Sequence, residues 1–316
     1  MIFKRGFLFY KFYNIRLFFF LLFHRYDLLV ANDLDTLLPN FLVSGIKGIP
    51  LVYDSHEYFT GVPEIQKKYF VKLVWTSIEK MIFPRLKNVM TVCDSIAEKY
   101  DEEYGIRPLT VRNISRSAEN ISGYSLEEIG INKDNLLLIL QGGGINTDRG
   151  GEELIEAVNR TDDVSLLIVG SGDVLETLKK RTEELNLSGR VRFIPKVPWH
   201  EMLKYTKAAD AGVSLDKDTN PNYKFSLPNK LFDYISAGIP VIASDLIEIK
   251  RILVENNCGI IIPSVTIDEI SIAIKKLRDD RELLNKLKVN AINASKYLNW
   301  EKESEKVIDF YSSILP

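Results

Sequence analysis

Short apolar runs alternate with longer amphipathic stretches along the chain. The first runs are Asp27–Ala31, Pro50–Asp54, Asn88–Val92 and Leu109–Arg112. Continuous apolar segments this short, separated by helical patterns, predict parallel strands covered on both faces. A polar stretch around residues 115–125, with Asn113, Ser117, Asn120 and Gly123 in or beside it, reads as a linker. Six further runs follow: Asn135–Leu140, Val164–Val169, Arg190–Ile194, Ala211–Leu215, Pro240–Ala243 and Gly259–Ile262. Each precedes turn residues and a helical pattern, so the expected class is α/β, with two Rossmann-like doubly wound domains and a ligand in their crevice. The expected division is an N-terminal domain over 1–120, a linker over 121–134, a C-terminal domain over 135–298 and a terminal helix over 299–316 that can return to the N-terminal domain.

The two series are unequal. A doubly wound unit usually has five or six strands and opens on a strand with a glycine-bearing turn. The first series supplies about four and opens on a helical segment, so the N-terminal domain is expected to be incomplete at its front. That opening segment, residues 1–26, carries Lys4, Arg5, Lys11, Arg16 and Arg25, no acid, and many aromatics. Its uninterrupted apolar run, Leu17–Phe23, is too short to span a bilayer, and no small-residue cleavage site follows it. Two readings stay open: a basic helix lying on an anionic membrane surface, or a crossover helix packed on a sheet.

At 316 residues the chain suits two domains, and its 46% hydrophobic content supplies a sizeable core. The balance of 41 basic and 43 acidic residues leaves no global positive field for a nucleic-acid backbone. Cys93 and Cys258, without CxxC spacing, indicate neither a disulfide framework nor a zinc site and suit a reducing, cytoplasmic setting.

Candidate chemistry concentrates in two stretches. Gly142-Gly143-Gly144 follows a strand and precedes a helix expected to begin between Asp148 and Glu152, where backbone N–H groups can approach an anion. The competing reading is a tight turn without a ligand. Arg149 at the same helix start favours the anion, because its guanidinium offers a bidentate partner. A dinucleotide fingerprint fails, since GxGxxG from Gly142 would need glycine at Thr147. In the stretch Ser226–Ser244, Pro228 suits a first helical position, Gly238 a helix end and Pro240 a stop. Lys230 and Asp233 share one face of this helix. A cation so near a helix start calls for an anion beside it, the alternative being an ordinary exposed Lys–Asp pair.

The order of Arg149-Gly150, Leu167–Asp173, Arg190–Phe193, Ala208–Leu215, Pro228–Tyr234 with Ala237–Ala243, and Asn299–Glu301 resembles family 4 of the retaining glycosyltransferases over nearly all of residues 135–310. Tyr26–Leu38 and Leu51–Glu57 resemble the same family's N-terminal domain. The resemblance implies a GT-B fold, a nucleotide-diphosphate sugar as donor, and no cofactor or obligatory metal. Gly143, Gly144, Arg149 and Lys230 would then meet the donor diphosphate, and Asp233 the ribose hydroxyls. The family's first acid falls at Phe225, so half of the acidic pair is absent, and an arginine common in the glycine turn is replaced by Gly143 or Gly144.

The resemblance also implies that His56, at a strand end, sits beside the reacting sugar, where an imidazole could stabilise developing charge; capping of the strand end is the alternative. Glu57 could position the acceptor or cap the next helix. His24 and His200 read as surface residues. Asp33-Leu-Asp35 matches a short metal-binding motif of a different transferase fold, but Asp33 can equally cap a helix starting near Thr36. The expectation is a retaining glycosyltransferase acting on a glycan or lipid-linked acceptor in surface polysaccharide or glycoconjugate assembly, in the cytoplasm or at the inner face of the membrane. The rival is a non-catalytic nucleotide-sugar-binding subunit that needs a partner chain to complete its N-terminal domain.

Overall fold

The computed structural model describes residues 6–315; Lys4, Arg5 and the rest of residues 1–5 of the basic opening segment lie outside the described residues. In chain order the elements are α1 (Gly6–Phe23), β1 (Leu29–Asn32), α2 (Leu34–Lys47), β2 (Leu51–Ser55), α3 (Pro63–Gln66), α4 (Tyr69–Ile82), β3 (Asn88–Thr91), α5 (Asp94–Tyr104) and β4 (Leu109–Thr110). They continue as β5 (Leu136–Gly142), α6 (Gly151–Asn159), β6 (Val164–Gly170), α7 (Leu175–Glu184), β7 (Val191–Pro195), α8 (Trp199–Ala208), β8 (Ala211–Ser214) and α9 (Pro221–Lys224). The last are α10 (Asn229–Ser236), β9 (Val241–Ser244), α11 (Ile247–Asn256), β10 (Gly259–Ile262), α12 (Ile267–Asp279), α13 (Arg281–Ser295) and α14 (Trp300–Ile314). Each of the ten apolar runs expected to be strands contains one, and the run Leu17–Phe23 lies in α1.

The chain divides into two compact units. Unit 1 holds residues 1–112, 220–226 and 304–316; unit 2 holds 113–219 and 227–303. The division falls at Arg112/Asn113, ahead of residue 120, and the stretch expected to be a linker packs into unit 2. Ile114, Ile129 and Ile131 are buried in its core, and Tyr124 and Leu126 pack against them.

Unit 1 is built on a parallel sheet of order β1-β2-β3-β4. Helix α2 packs on β1 and β2, and α1 lies along α2. At the sheet edge, β1 buries Leu29 and Ala31 and exposes Val30 and Asn32, whereas β2 is buried along most of its length. Helix α1 buries Leu21 but exposes Phe12, Phe19, Phe20 and Phe23. Among the described residues, no helix is long and apolar enough to cross a membrane.

Unit 2 is a six-stranded parallel sheet of order β10-β9-β8-β5-β6-β7. The two-residue period of a strand explains its two cores. Leu136, Leu138 and Leu140 of β5 point to one, with α6 and α12 residues. Leu137 and Ile139 point to the other, with Leu231, Phe232 and Ile235 of α10. Strand order reverses at β5, whose neighbours β6 and β8 are reached by opposite routes, so a topological switch point opens beyond the carboxyl ends of β5 and β8.

A buried acid in unit 1 generates a stability prediction. Glu79 on α4 is 1% exposed. Its Oε2 accepts from Thr60 Oγ1 (3.3 Å) and the Tyr104 hydroxyl (3.2 Å), while Oε1 has no partner. Burial outweighs those donors and pushes the carboxyl up to about 7. The folded state therefore holds a proton that the unfolded chain releases near its ordinary value of 4.5. The stabilisation tied to that proton is complete below about pH 4.5 and is lost as pH rises through about 7. Glu79→Gln mimics the protonated form, so urea titrations from pH 4.5 to 8.5 should show a flatter profile for the variant and, at pH 8, a gain of up to roughly 3 kcal/mol. Parallel profiles for parent and variant would sink the burial account.

Candidate functional site

At the switch point in unit 2, β5 and β8 share only a short ladder, Leu138 with Ala211 and Ile139 with Gly212. Tyr234 of α10 fills the gap. Its hydroxyl lies 3.2 Å from the carbonyls of both Ile139 and Val213 and accepts from the Gln141 N–H (3.3 Å). Gly212 is required here, because a Cβ at that position would lie 2.3 Å from the Tyr234 ring. Helix α10 is thereby held over the ends of β5 and β8, and with it Lys230 and Asp233.

The glycine turn lies beside it. Gly170, at φ +143°, would place a Cβ 1.9 Å from the Gly142 carbonyl oxygen, so β5 and β6 end in contact that only glycine permits. A Cβ on Gly143 would instead meet open space. Gly142 and Gly143 line a cavity of about 310 Å³ with Val197, Trp199, Lys230 and Asp233. Gly144 and Arg149 lie outside that lining. Helix α6 begins at Gly151, and its first turn carries Glu152 and Glu153, so protein acids already face its positive end.

Arg149 and Lys230 converge on an acid that the sequence reading passed over. Arg149 Nη1 lies 2.6 Å from Asp216 Oδ1, and Lys230 Nζ 3.3 Å from Asp216 Oδ2. The Asp216 side chain is fully buried. Burial alone would push its carboxyl up, but Lys230 and Arg149 together hold it below the usual range. Lys230 and Asp233 are thus not an exposed pair: each has a different partner, and the anion expected beside a helix-start cation is, within the protein, Asp216. Pro228 occupies the position just before the helix and not its first residue. A signal for Asp216 was present in the sequence, as an acid just beyond an apolar strand in a doubly wound series.

Asp233 is 4% exposed. Ser115 Oγ (2.5 Å) and Trp199 Nε1 (2.9 Å) donate to its Oδ1, and Gln141 Nε2 (3.1 Å) donates to Oδ2. Burial raises its carboxyl despite these donors. Ser115 comes from the stretch read as a linker. Phe225, at the position of the missing first acid, belongs to unit 1, where its carbonyl accepts from Cys93 Sγ.

His56 lies in unit 1 at the carboxyl end of β2, and its side chain is 53% exposed. Its N–H donates to Asp33 Oδ1 (2.8 Å), its Nε2 lies 3.2 Å from Asp54 Oδ2, and its Nδ1 3.7 Å from Asp33 Oδ2. Two carboxylates therefore flank the imidazole. Asp33 precedes α2 but makes no side-chain cap; its carboxylate ties the end of β1 to His56 instead. Burial raises the Asp33 carboxyl. The Glu57 Oε2 accepts from Asn222 Nδ2 (3.0 Å), and the residue lines an apolar cavity of about 290 Å³ with Tyr10, Phe59, Val62 and Trp75. His24 and His200 are exposed. Among the described residues, no group of three or more His, Cys, Asp or Glu side chains is arranged to hold a metal ion.

The family model described as "Glycosyl transferases group 1" matches residues 126–294, more than half of the chain. The chain belongs to the group 1 glycosyl transferases. Similar relatives include a GDP-mannose-dependent alpha-(1-6)-phosphatidylinositol monomannoside mannosyltransferase of Mycobacterium tuberculosis, 25% identical over 42% of this chain and 36% of that protein. Another is a chitobiosyldiphosphodolichol beta-mannosyltransferase of Debaryomyces hansenii, 24% identical over 68% of this chain and 47% of that one. The chain spans less than half the length of these relatives. Among solved structures, HepE of Anabaena in complex with UDP and glucose superposes with a TM-score of 0.73 at 17% identity, over 91% of this chain and 78% of that one. Sucrose-phosphate synthase of Thermosynechococcus elongatus gives 0.71 at 18%, over 91% and 73%. The fold of this group 1 transferase is GT-B, with two Rossmann-like domains.

The carboxylate of Asp233 generates a prediction. Asp233→Asn would replace one acceptor oxygen by an NH₂ facing Ser115 and Trp199, or facing Gln141, all of which donate. The variant should lose about 1 to 3 kcal/mol in chemical denaturation, and unchanged stability would contradict the observed donor arrangement.

Proposed function

We propose that this chain is a retaining glycosyltransferase that moves a sugar from a nucleotide-diphosphate sugar to a glycan or lipid-linked acceptor in surface polysaccharide or glycoconjugate biosynthesis. The observation that carries the reading is the convergence of Arg149 and Lys230 at the switch point of unit 2, beside the open backbone of Gly143. On this reading Gly143, Gly144, Arg149 and Lys230 hold the donor diphosphate. As the bond to the sugar breaks, the diphosphate gains charge, which the cations stabilise more in the transition state than in the ground state. Asp233 has acceptor capacity left on Oδ2 for a ribose hydroxyl. His56, flanked by Asp33 and Asp54, acts on the reacting sugar, and Glu57 positions the acceptor.

Retention, with front-face attack and the leaving phosphate accepting the acceptor's proton, rests on the family 4 resemblance. A lipid-linked acceptor is supported by the apolar cavity beside Glu57, and work at the inner membrane face by the exposed aromatics of α1 with Lys11 and Arg16. The structural neighbour HepE is named with UDP and the mycobacterial relative with GDP-mannose, which makes UDP and GDP the nucleotides to try. On this reading the protein's own cations do the work that a metal does in other transferases, and no cofactor takes part.

Calorimetry in buffer containing EDTA tests this. The parent should bind UDP or GDP, and Arg149→Ala and Lys230→Ala should each weaken binding by about 1.5 to 3 kcal/mol. Variants that bind like the parent would remove the phosphate site, and parent binding that appears only with manganese would restore a metal.

One observation favours the second reading, a nucleotide-sugar-binding subunit that a partner chain completes: Val30 and Asn32 at the β1 edge and the α1 aromatics are exposed. An open edge with apolar surface recruits cover. On that reading the isolated chain should elute as an oligomer or precipitate, and detergent or anionic vesicles should disperse it. A stable monomer that transfers sugar in plain buffer overturns it.

A further inference from the structure

Asp216 is an acid buried under two cations that the proposed function assigns to an anionic ligand. Three segments of the chain meet here. Its side chain follows β8; Arg149 arrives from the turn after β5, and Lys230 from the first turn of α10. The backbone around it is tied down on both sides: Ser244 Oγ at the end of β9 donates to the Asp216 carbonyl (2.7 Å), and the Lys217 N–H donates to the Asp148 carbonyl (2.9 Å). Ser214 Oγ lies 3.4 Å from Oδ2. The carboxylate is therefore a fixed point.

We infer that Asp216 is the positioning residue for the donor diphosphate, holding Arg149 and Lys230 together so that both meet the phosphates at once. The inference rests on the reading of those two cations as the phosphate site. A guanidinium and an ammonium carry only donors, and an ionised carboxylate carries only acceptors, so Asp216 satisfies one cation with each oxygen. Without it, two like charges, their side chains only 23% and 11% exposed, would repel each other with little water to screen them. A guanidinium with five N–H donors and an ammonium with three can each donate to more than one acceptor, so the pairs to Asp216 can persist when a phosphate oxygen is bound.

The consequence runs against simple charge counting. Removing a negative charge beneath an anion site should tighten anion binding if charge were all that mattered. Asparagine, however, offers one acceptor oxygen and one NH₂, and that NH₂ must face either Arg149 or Lys230, neither of which can accept. One cation is turned away.

Calorimetry with UDP, GDP and pyrophosphate decides between the two. Asp216→Asn should weaken the nucleotide that the parent binds, and pyrophosphate with it, by ten-fold or more, while Asp279→Asn, which removes an exposed acid elsewhere in unit 2, should leave both unchanged. In a Lys230→Ala background, Asp216→Asn should cost less than three-fold, because the pair it organises is already broken. Equal or tighter binding by Asp216→Asn, or the same loss in both backgrounds, overturns the inference. If Asp216→Asn does not fold, Asp216→Glu keeps the charge and displaces the carboxylate: binding at least three-fold weaker supports positioning, and parent-like binding overturns it. Should Arg149→Ala and Lys230→Ala bind like the parent, the phosphate-site reading itself fails; if they lose affinity and Asp216→Asn does not, only the positioning role fails.

Discussion

The Tyr234 hydroxyl, set between carbonyls of β5 and β8, is the contact on which the geometry of unit 2 turns. A parallel sheet whose order reverses must part its connections at the reversal, and the two strands that part share the fewest ladder contacts. The gap exposes backbone groups that burial would otherwise leave unpaired, a cost of about 1 to 3 kcal/mol for each. Tyr234 supplies the missing partner from α10, and Gly212 makes room for its ring. One side chain thus closes the sheet and fixes the helix that carries Lys230 and Asp233. Gln141 extends the same lock: it donates to Asp233, accepts from Thr206 of α8, and its N–H meets the Tyr234 hydroxyl.

Three buried carboxylates show how differently the fold meets one physical problem. Glu79 has two neutral hydroxyl donors on a single oxygen and retains its proton to about pH 7. Asp233 has three neutral donors shared between its oxygens, and burial still raises it. Asp216 has two cations and is held below the usual range although its side chain is fully buried. Of the three, only Asp216 is held below its usual range, by the cations that Lys230 and Arg149 supply.

The fold was legible to the extent that it is written locally. Apolar runs such as Leu136–Leu140 and Val164–Val169 announce buried parallel strands, and the ends of α10 follow from Pro228, Gly238 and Pro240. Convergence across long separations is not written locally. Arg149, Asp216 and Lys230 meet only because β5, β8 and α10 meet, and nothing in the spacing of the three residues states it. For the same reason Ser115 was hidden in a polar stretch whose flanking residues Ile114, Ile129 and Ile131 anchor it to a core formed elsewhere. The short segment Asn220–Ser226 belongs to unit 1 through contacts such as Asn222 with Glu57, which no periodicity could announce.

A cation at the first turn of a helix looked misplaced in the sequence, and the reason it is tolerated bears on what the site can do. The partial positive charge at the start of α10 and the guanidinium of Arg149 both disfavour Lys230, so its position is stable only with an anion near it. Asp216 is that anion in the free protein, and it compensates one of the two cations. One carboxylate thus stands against two cations at the start of α10. The proposed reading of a nucleotide-diphosphate sugar as donor draws on this balance: an anionic ligand would be met by two cations that Asp216 already holds in place.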